Sequence, residues 1–238
     1  MRTVFAIVVT VAVCCSCFCW AAGDAPAMSA DEALRLLKEG NSRFIASSQQ
    51  HPNEDVARRN STATKGQQPF ATILSCSDSR VPVEVLFDRG VGDIFVIRVA
   101  GNVANGDETG SIEYAVDHLG TPVLVVLGHT KCGAVTAVVT NADLHGNIIP
   151  IGKSILPAVV AAKKSNPTAT GEALLNEAIK ANVWQAIEDV FRTSPITVGR
   201  IKSGKLRVEG ALYDIETGNV TWMGKHPKQD NLLSDKAH

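Results

Sequence analysis

Aromatic side chains are scarce in this chain: seven Phe, three Trp and two Tyr, 5% of 238 residues. That scarcity argues against a base-stacking platform for nucleic acid. An excess of either charge is missing too. Lys and Arg number 23 against 24 Asp and Glu, a formal net charge of −1, so no broad basic face is expected to neutralise phosphates. The sequence has no internal repeat, no low-complexity tract and no obvious interdomain linker. What remains is ordinary globular composition, 45% hydrophobic and 20% charged, in a chain long enough for a sizeable core.

Charge is missing altogether from Thr3 to Ala22, behind Arg2. Val4–Val13 is almost wholly apolar, small residues follow at Ala21, Ala22 and Gly23, and Asp24 opens polar sequence. This is the tripartite pattern of a signal peptide. Removal is expected near Gly23, leaving residues 24–238 as one domain that works outside the cytoplasm, periplasmic or secreted. Two alternatives stand beside it. About 20 apolar residues can serve as an uncleaved anchor, and Cys14, Cys15, Cys17 and Cys19 raise lipid attachment, although their neighbours match a bacterial lipoprotein site poorly. Without the leader, six cysteines become two, Cys76 and Cys132. In an oxidising compartment two cysteines suggest a disulfide.

Along the chain, Ser29-Ala-Asp-Glu32 reads as a capping box ahead of a helical stripe of Leu34, Leu37, Phe44 and Ile45. Residues Gln49–Gln68 are polar and read as a loop plus a short helix. Three β-rich apolar runs follow, Phe70–Ser75, Ile94–Val99 and Val123–Gly128. Their lack of strict alternation suits strands buried on both faces of a parallel sheet. Helical segments at Val83–Phe87 and Ser111–Leu119 separate them, and this βαβ rhythm implies an α/β fold. Residues 131–193 read mostly as helix, broken at His145-Gly146-Asn147 and Asn166-Pro167. Lys205–Asp214 and Asn219–Met223 resemble two further strands joined at Thr217-Gly218. The polar tail from Lys225 is expected to be loose.

Cys76, Asp78 and Arg80 follow the first apolar run, and His129 and Cys132 follow the third. Both groups thus fall at carboxyl ends of predicted parallel strands, where open α/β sheets place ligands. Two thiolates and an imidazole are good zinc ligands with a fourth position left over, which Asp78 could also close. Taken singly, each has a plainer reading. The cysteines suit buried thiols or a disulfide, and Asp78 with Arg80 suits a turn-stabilising ion pair. Their joint placement at two strand ends favours the metal.

Cys76-Ser-Asp-Ser-Arg80 together with His129-x-x-Cys132 resembles the β-class carbonic anhydrase signature, strongly from Gln67 to Ala134. The resemblance implies a mostly parallel central sheet flanked by helices, with an N-terminal helical arm over about residues 28–66. It implies one Zn2+ per chain on Cys76, His129 and Cys132, and reversible hydration of CO2 to bicarbonate by zinc-bound hydroxide. Asp78 would orient that hydroxide, and Arg80 would hold Asp78 ionised and away from the metal; in the family Asp78 can also be a fourth ligand in an inactive state. Gln67 matches a substrate-polarising glutamine of plant-type members. Phe95, Ala100, Tyr114 and Gly133 match substrate-pocket positions, although Ala100 stands where a larger aliphatic residue is frequent. His118, four residues after Tyr114, matches a proposed proton shuttle, a task suited to imidazole. The family's amino-terminal helix packs on a neighbouring subunit and Gln67 reaches a shared site, so a homodimer or dimer of dimers is expected, with no nucleic-acid partner. Competing readings are a carbonyl sulfide or carbon disulfide hydrolase on the same scaffold, and a non-enzymatic zinc-binding or thiol-redox protein. The last leaves the Asp78–Arg80 pair without a purpose, and cysteines 56 positions apart do not resemble Cys-x-x-Cys.

Overall fold

The computed structural model describes residues 28–234; the leader expected over residues 1–23 lies outside the described residues. Ser29 opens the first helix, α1 (Ala30–Ile45), its hydroxyl accepting the Glu32 N–H at 3.1 Å. Only this half of the expected capping box forms, because the Glu32 carboxylate accepts from Arg35 instead. Ala33, Leu34 and Leu37 make the buried stripe, whereas Ile45 is exposed. The stripe packs on its own chain, against Ile73, Leu86, Phe87 and Val125. The buried stripe of α1 is thus covered within its own chain, and contact of the expected arm with a neighbouring subunit belongs to the proposed assembly. The next helix, α2 (Val56–Lys65), is capped by Asp55 and buries none of its residues.

Five strands form one sheet: β1 (Ala71–Ser75), β2 (Ile94–Arg98), β3 (Val123–His129), β4 (Arg207–Tyr213) and β5 (Val220–Gly224). Their order is β2-β1-β3-β4-β5. The first four run parallel and β5 returns antiparallel beside β4. The predicted α/β architecture is thus the observed one. The missing alternation in the apolar runs has a direct cause, visible on β3. Val123, Val125 and Leu127 face α1 and α3 (Val83–Leu86), while Leu124 and Val126 face the opposite layer. That layer holds α4 (Gly106–Glu113), α7 (Gly171–Thr193) and α8 (Pro195–Lys202). A third cluster, around α5 (Gly133–Val139), α6 (Ile148–Ser165) and α7, takes in Cys76 and Cys132.

Three local readings differ from the structure. The helix expected from Ser111 starts at Gly106, where Asn105 and Glu108 form a reciprocal capping box. It ends in a π-helical turn, Tyr114–His118, in which Leu119 N–H reaches the Tyr114 carbonyl. α8 lies in a stretch whose sequence carried no helical assignment; Ser194 caps it and Pro195 opens it. The tail expected to be loose docks instead. Lys225 leads into buried His226 and then α9 (Gln229–Ser234), whose Leu232 and Leu233 pack on the α7 side of the core.

Candidate metal centre

Parallel strands β1 and β3 are neighbours, so their carboxyl ends deliver Cys76 and His129 to the same edge of the sheet. Gly128 lets α7 lie close there: a Cβ at that position would come within 2.6 Å of a Val183 methyl. Between His129 and Cys132 the chain must reverse, and Lys131 does so in the left-handed region at φ 56°. Thr130 fixes this loop to the end of β4, its N–H donating to the Tyr213 carbonyl and its hydroxyl accepting from Ile215 N–H. Cys132 then opens α5.

The donor atoms of Cys76, His129 and Cys132 all lie within 4.8 Å of one another, and all three residues are buried. His129 Nδ1 lies 2.9 Å from the Thr130 carbonyl. A carbonyl only accepts, so Nδ1 carries the hydrogen, and Nε2 presents a lone pair toward the cysteines. Nε2 is buried without a hydrogen-bond partner among the described residues. Two thiols and an orphaned imidazole nitrogen around one point fit zinc, whose bonds of about 2.0–2.3 Å need such a spacing. Neither cysteine is in a disulfide.

The electrostatics fit a cation as well. The Cys132 thiol, His129 and the N–H groups of Gly101 and Asp78 hold the Cys76 thiol far below its ordinary value, against the opposing effect of burial. Cys132 is pushed up by its bond to Cys76, by burial and by the neighbouring thiolate. Left to themselves the pair shares one proton, as a Cys76 thiolate beside a Cys132 thiol; a cation between them would let both ionise. Asp78 points the same way. Arg80 donates Nε–H to Oδ1 at 2.9 Å and Nη2–H to Oδ2 at 2.7 Å, and its own backbone N–H caps Oδ1 at 3.0 Å. Those bonds hold the Asp78 carboxyl well below the usual carboxylate range. Asp78 Oδ2 stands 3.9 Å from His129 Nε2, at the mouth of the cluster.

Of the residues singled out in the sequence, the fold therefore gathers Cys76, Asp78, Arg80, His129 and Cys132. Gly133 follows Cys132 at the start of α5, and Ala100 precedes Gly101, whose N–H donates to Cys76 Sγ at 3.2 Å. The other four are not gathered within one chain. Gln67 is exposed on the loop before β1, at the sheet edge opposite the cysteine. Strand rise puts about 20 Å between Phe70 and Cys76, and three residues recover at most about 10 Å, so Gln67 stays about 10 Å or more from its own Cys76. Phe95 pairs with Thr72 near the amino ends of β2 and β1, away from the strand ends that carry the cluster. It stacks on Tyr114 at 5.9 Å, and Tyr114 on His118 at 4.9 Å, forming an aromatic group beside the edge strand β2. Tyr114 is 46% exposed there.

Four contributors escaped the sequence reading. Arg98 donates to the carbonyls of Cys76 and Asp78 at 3.1 and 2.7 Å, pinning the ligand loop. The Lys131 carbonyl accepts from Arg80 at 3.2 Å. Gly101 and Asn182 complete the set. Gly101-Asn102 carries a turn signal, and Asn182 is a lone polar residue in the apolar stripe of Ile179, Val183 and Ala186 on α7. The Arg98 and Lys131 contacts left no local mark in the sequence.

Residues 71–220 match the family described as carbonic anhydrase. Carbonic anhydrase 2 of Mycobacterium tuberculosis is 37% identical over 192 residues, 79% of this chain and 90% of that one. Among solved structures, the β-carbonic anhydrase CafA of Aspergillus fumigatus superposes with a TM-score of 0.66 at 25% identity, covering 85% of this chain and 94% of that one. One of two tetrameric β-carbonic anhydrases of Sordaria macrospora gives 0.65 at 25% identity, covering 71% and 88%. Shared fold, matching segment and strand-end cluster lead to one conclusion: the chain belongs to the β-class carbonic anhydrases.

Proposed function

We propose that this protein binds one zinc ion per chain on Cys76, His129 and Cys132 and hydrates CO2 to bicarbonate and a proton. The observation that carries the reading is the buried Cys–His–Cys cluster with an unpartnered His129 Nε2, beside a carboxylate that Arg80 keeps ionised. The metal would supply Lewis acidity that makes water a nucleophile near neutral pH. The chain's own part is positional. Asp78 accepts a hydrogen bond at Oδ2 from the group that attacks CO2 and so orients its lone pair. Arg80 spends its fork on Asp78, which keeps the carboxylate from turning inward as a ligand.

Gln67 and Phe95 lie toward the starts of β1 and β2, too far from the cluster at the strand ends to serve it, and Tyr114 packs on Phe95. A second copy across the exposed β2 edge would supply them, with Gln67 donating an amide N–H where negative charge grows on CO2. The dimer or dimer of dimers is therefore part of the proposal, supported by the tetrameric relatives from Sordaria macrospora. His118, exposed beside Tyr114, would pass the released proton to buffer. Export to the periplasm or medium rests on the apolar leader alone. No helix among the described residues is long and apolar enough to cross a membrane.

Stopped-flow CO2 hydration with parallel zinc analysis of the purified protein tests the reading. One zinc per chain with CO2 turnover supports it. A zinc-loaded protein that hydrolyses carbonyl sulfide or carbon disulfide but leaves CO2 untouched overturns it.

A further inference from the structure

The turn at residues 100–102 is the tightest approach of backbone to the cysteine cluster. Gly101 sits in the left-handed region at φ 73° and ψ 15°, and Asn102 follows at φ 46°. Glycine suits the first position because φ 73° strains any side chain, and a Cβ there would also crowd Ile155 Cδ1 at 2.7 Å and Ala134 Cβ at 3.3 Å. This conformation aims the Gly101 N–H at Cys76 Sγ, 3.2 Å away. Two consecutive left-handed residues are not held by local preference, so something outside the turn must fix them. Asn102 N–H reaches back to the Val99 carbonyl at 3.0 Å. The other restraint comes from α7: Asn182 Nδ2–H donates to the Gly101 carbonyl at 2.7 Å.

Asn182 is 2% exposed and lies among apolar residues of α7, where a polar side chain costs stability unless it is bonded. We infer that Asn182 is a positioning residue for the metal centre: by holding the Gly101 carbonyl it keeps the Gly101 N–H on the Cys76 sulfur and so strengthens the chain's grip on zinc. The inference rests on the proposed zinc site and extends it to α7. An N–H donor at a metal-bound thiolate offsets its charge and fixes its direction. Outer contacts of this kind are worth about 10- to 100-fold in metal affinity.

Two folded variants test this, Asn182→Leu, close in volume but without a donor, and Asn182→Ala. Zinc transfer to a chromogenic chelator should be about tenfold faster or more in both than in wild type. In the cobalt-substituted proteins, the thiolate-to-metal charge-transfer band should move. Val190→Ala, which loosens α7 two turns further along, in the core cluster that excludes the cysteines, should leave both readouts near wild type. Wild-type retention and an unmoved band in the Asn182 variants would overturn the inference, as would an equal change in Val190→Ala. Should one Asn182 variant fail to fold, the other decides. Failure of the zinc reading itself appears separately, as a wild-type protein that retains no metal.

Discussion

Arg80 meets Asp78 edge to edge, Nε–H and Nη2–H on two carboxylate oxygens at 2.9 and 2.7 Å, and the same Nη2 also donates to the Lys131 carbonyl of the opposite ligand loop. The ion pair therefore ties the β1 end to the β3 end directly over the cluster. Arg80→Gln should free Asp78 to turn toward the metal. Zinc content should stay at one per chain while turnover divided by the Michaelis constant falls by about 100-fold, in the range for loss of a positioned acid–base group. Zinc analysis beside stopped-flow hydration checks it, and unaltered kinetics would remove Arg80 from the mechanism.

Cys76→Ser and His129→Ala should lose zinc on dialysis while the sheet persists. His129 is wholly buried, so His129→Ala should also lower stability by about 2–4 kcal/mol through the cavity it leaves. Elemental analysis and denaturant unfolding separate the two effects. Full zinc occupancy in either variant would strike that residue from the ligand set.

Gln67 and Asp78 are expected to serve one site from two chains. Gln67→Ala and Asp78→Asn should each be slow alone. After the two are unfolded, mixed and refolded together, half of the dimers pair one of each, and one site in each mixed dimer is intact. Activity should recover to about a quarter of wild type. No recovery in a mixture shown by mass spectrometry to contain mixed dimers would place Gln67 in its own subunit's chemistry or in none.

His118→Ala should lower maximal turnover in weak buffer and recover when a small imidazole buffer is added, with turnover divided by the Michaelis constant unchanged. Wild-type turnover at low buffer would show that protons leave by another route.

Asp88 gives a pH prediction about stability. Its side chain is 1% exposed and pairs with Arg43 of α1. Burial pushes its carboxyl up, but the N–H of Gln50, the Arg43 guanidinium and the N–H of His51 outweigh that and hold it below the ordinary value. A depressed folded pKa means stability that is full above the unfolded value, about 3.9, and lost as pH falls through the folded one. Asp88→Asn should cost about 3 kcal/mol near pH 7, and the gap to wild type should narrow below about pH 4. Denaturant melts at both pH values check the sign; a constant gap would mean that lost packing, not charge, explains the cost.

The strands, the parallel class and the metal cluster were legible in sequence because each depends on local information. Buried runs such as Val123–Gly128 reflect burial on two faces, and a ligand at a strand end is one residue away from the run that places it. Where sequence failed, the deciding contact was distant. The stripe on α1 matches a helix seated on any apolar surface; its seat beside Phe87, whose backbone approaches Gly40 closely enough to forbid a side chain there, is a contact between residues far apart in the chain. The tail after Lys225 is polar on average, yet His226 is held by Glu188 and edge-on to Trp184, partners about 40 residues upstream.

By itself, then, the sequence determined the chemistry at hand: two thiols, an imidazole and a carboxylate with its arginine, at the carboxyl ends of two parallel strands. Tertiary structure alone decided what each of those groups can do. It set which histidine nitrogen points inward, through the Thr130 carbonyl. It brought Arg98 and Asn182 onto backbone groups of the site from elsewhere in the chain. It also separated Gln67 and Phe95 from their own cluster, because a parallel strand carries residues at its start and its end to opposite edges of the sheet.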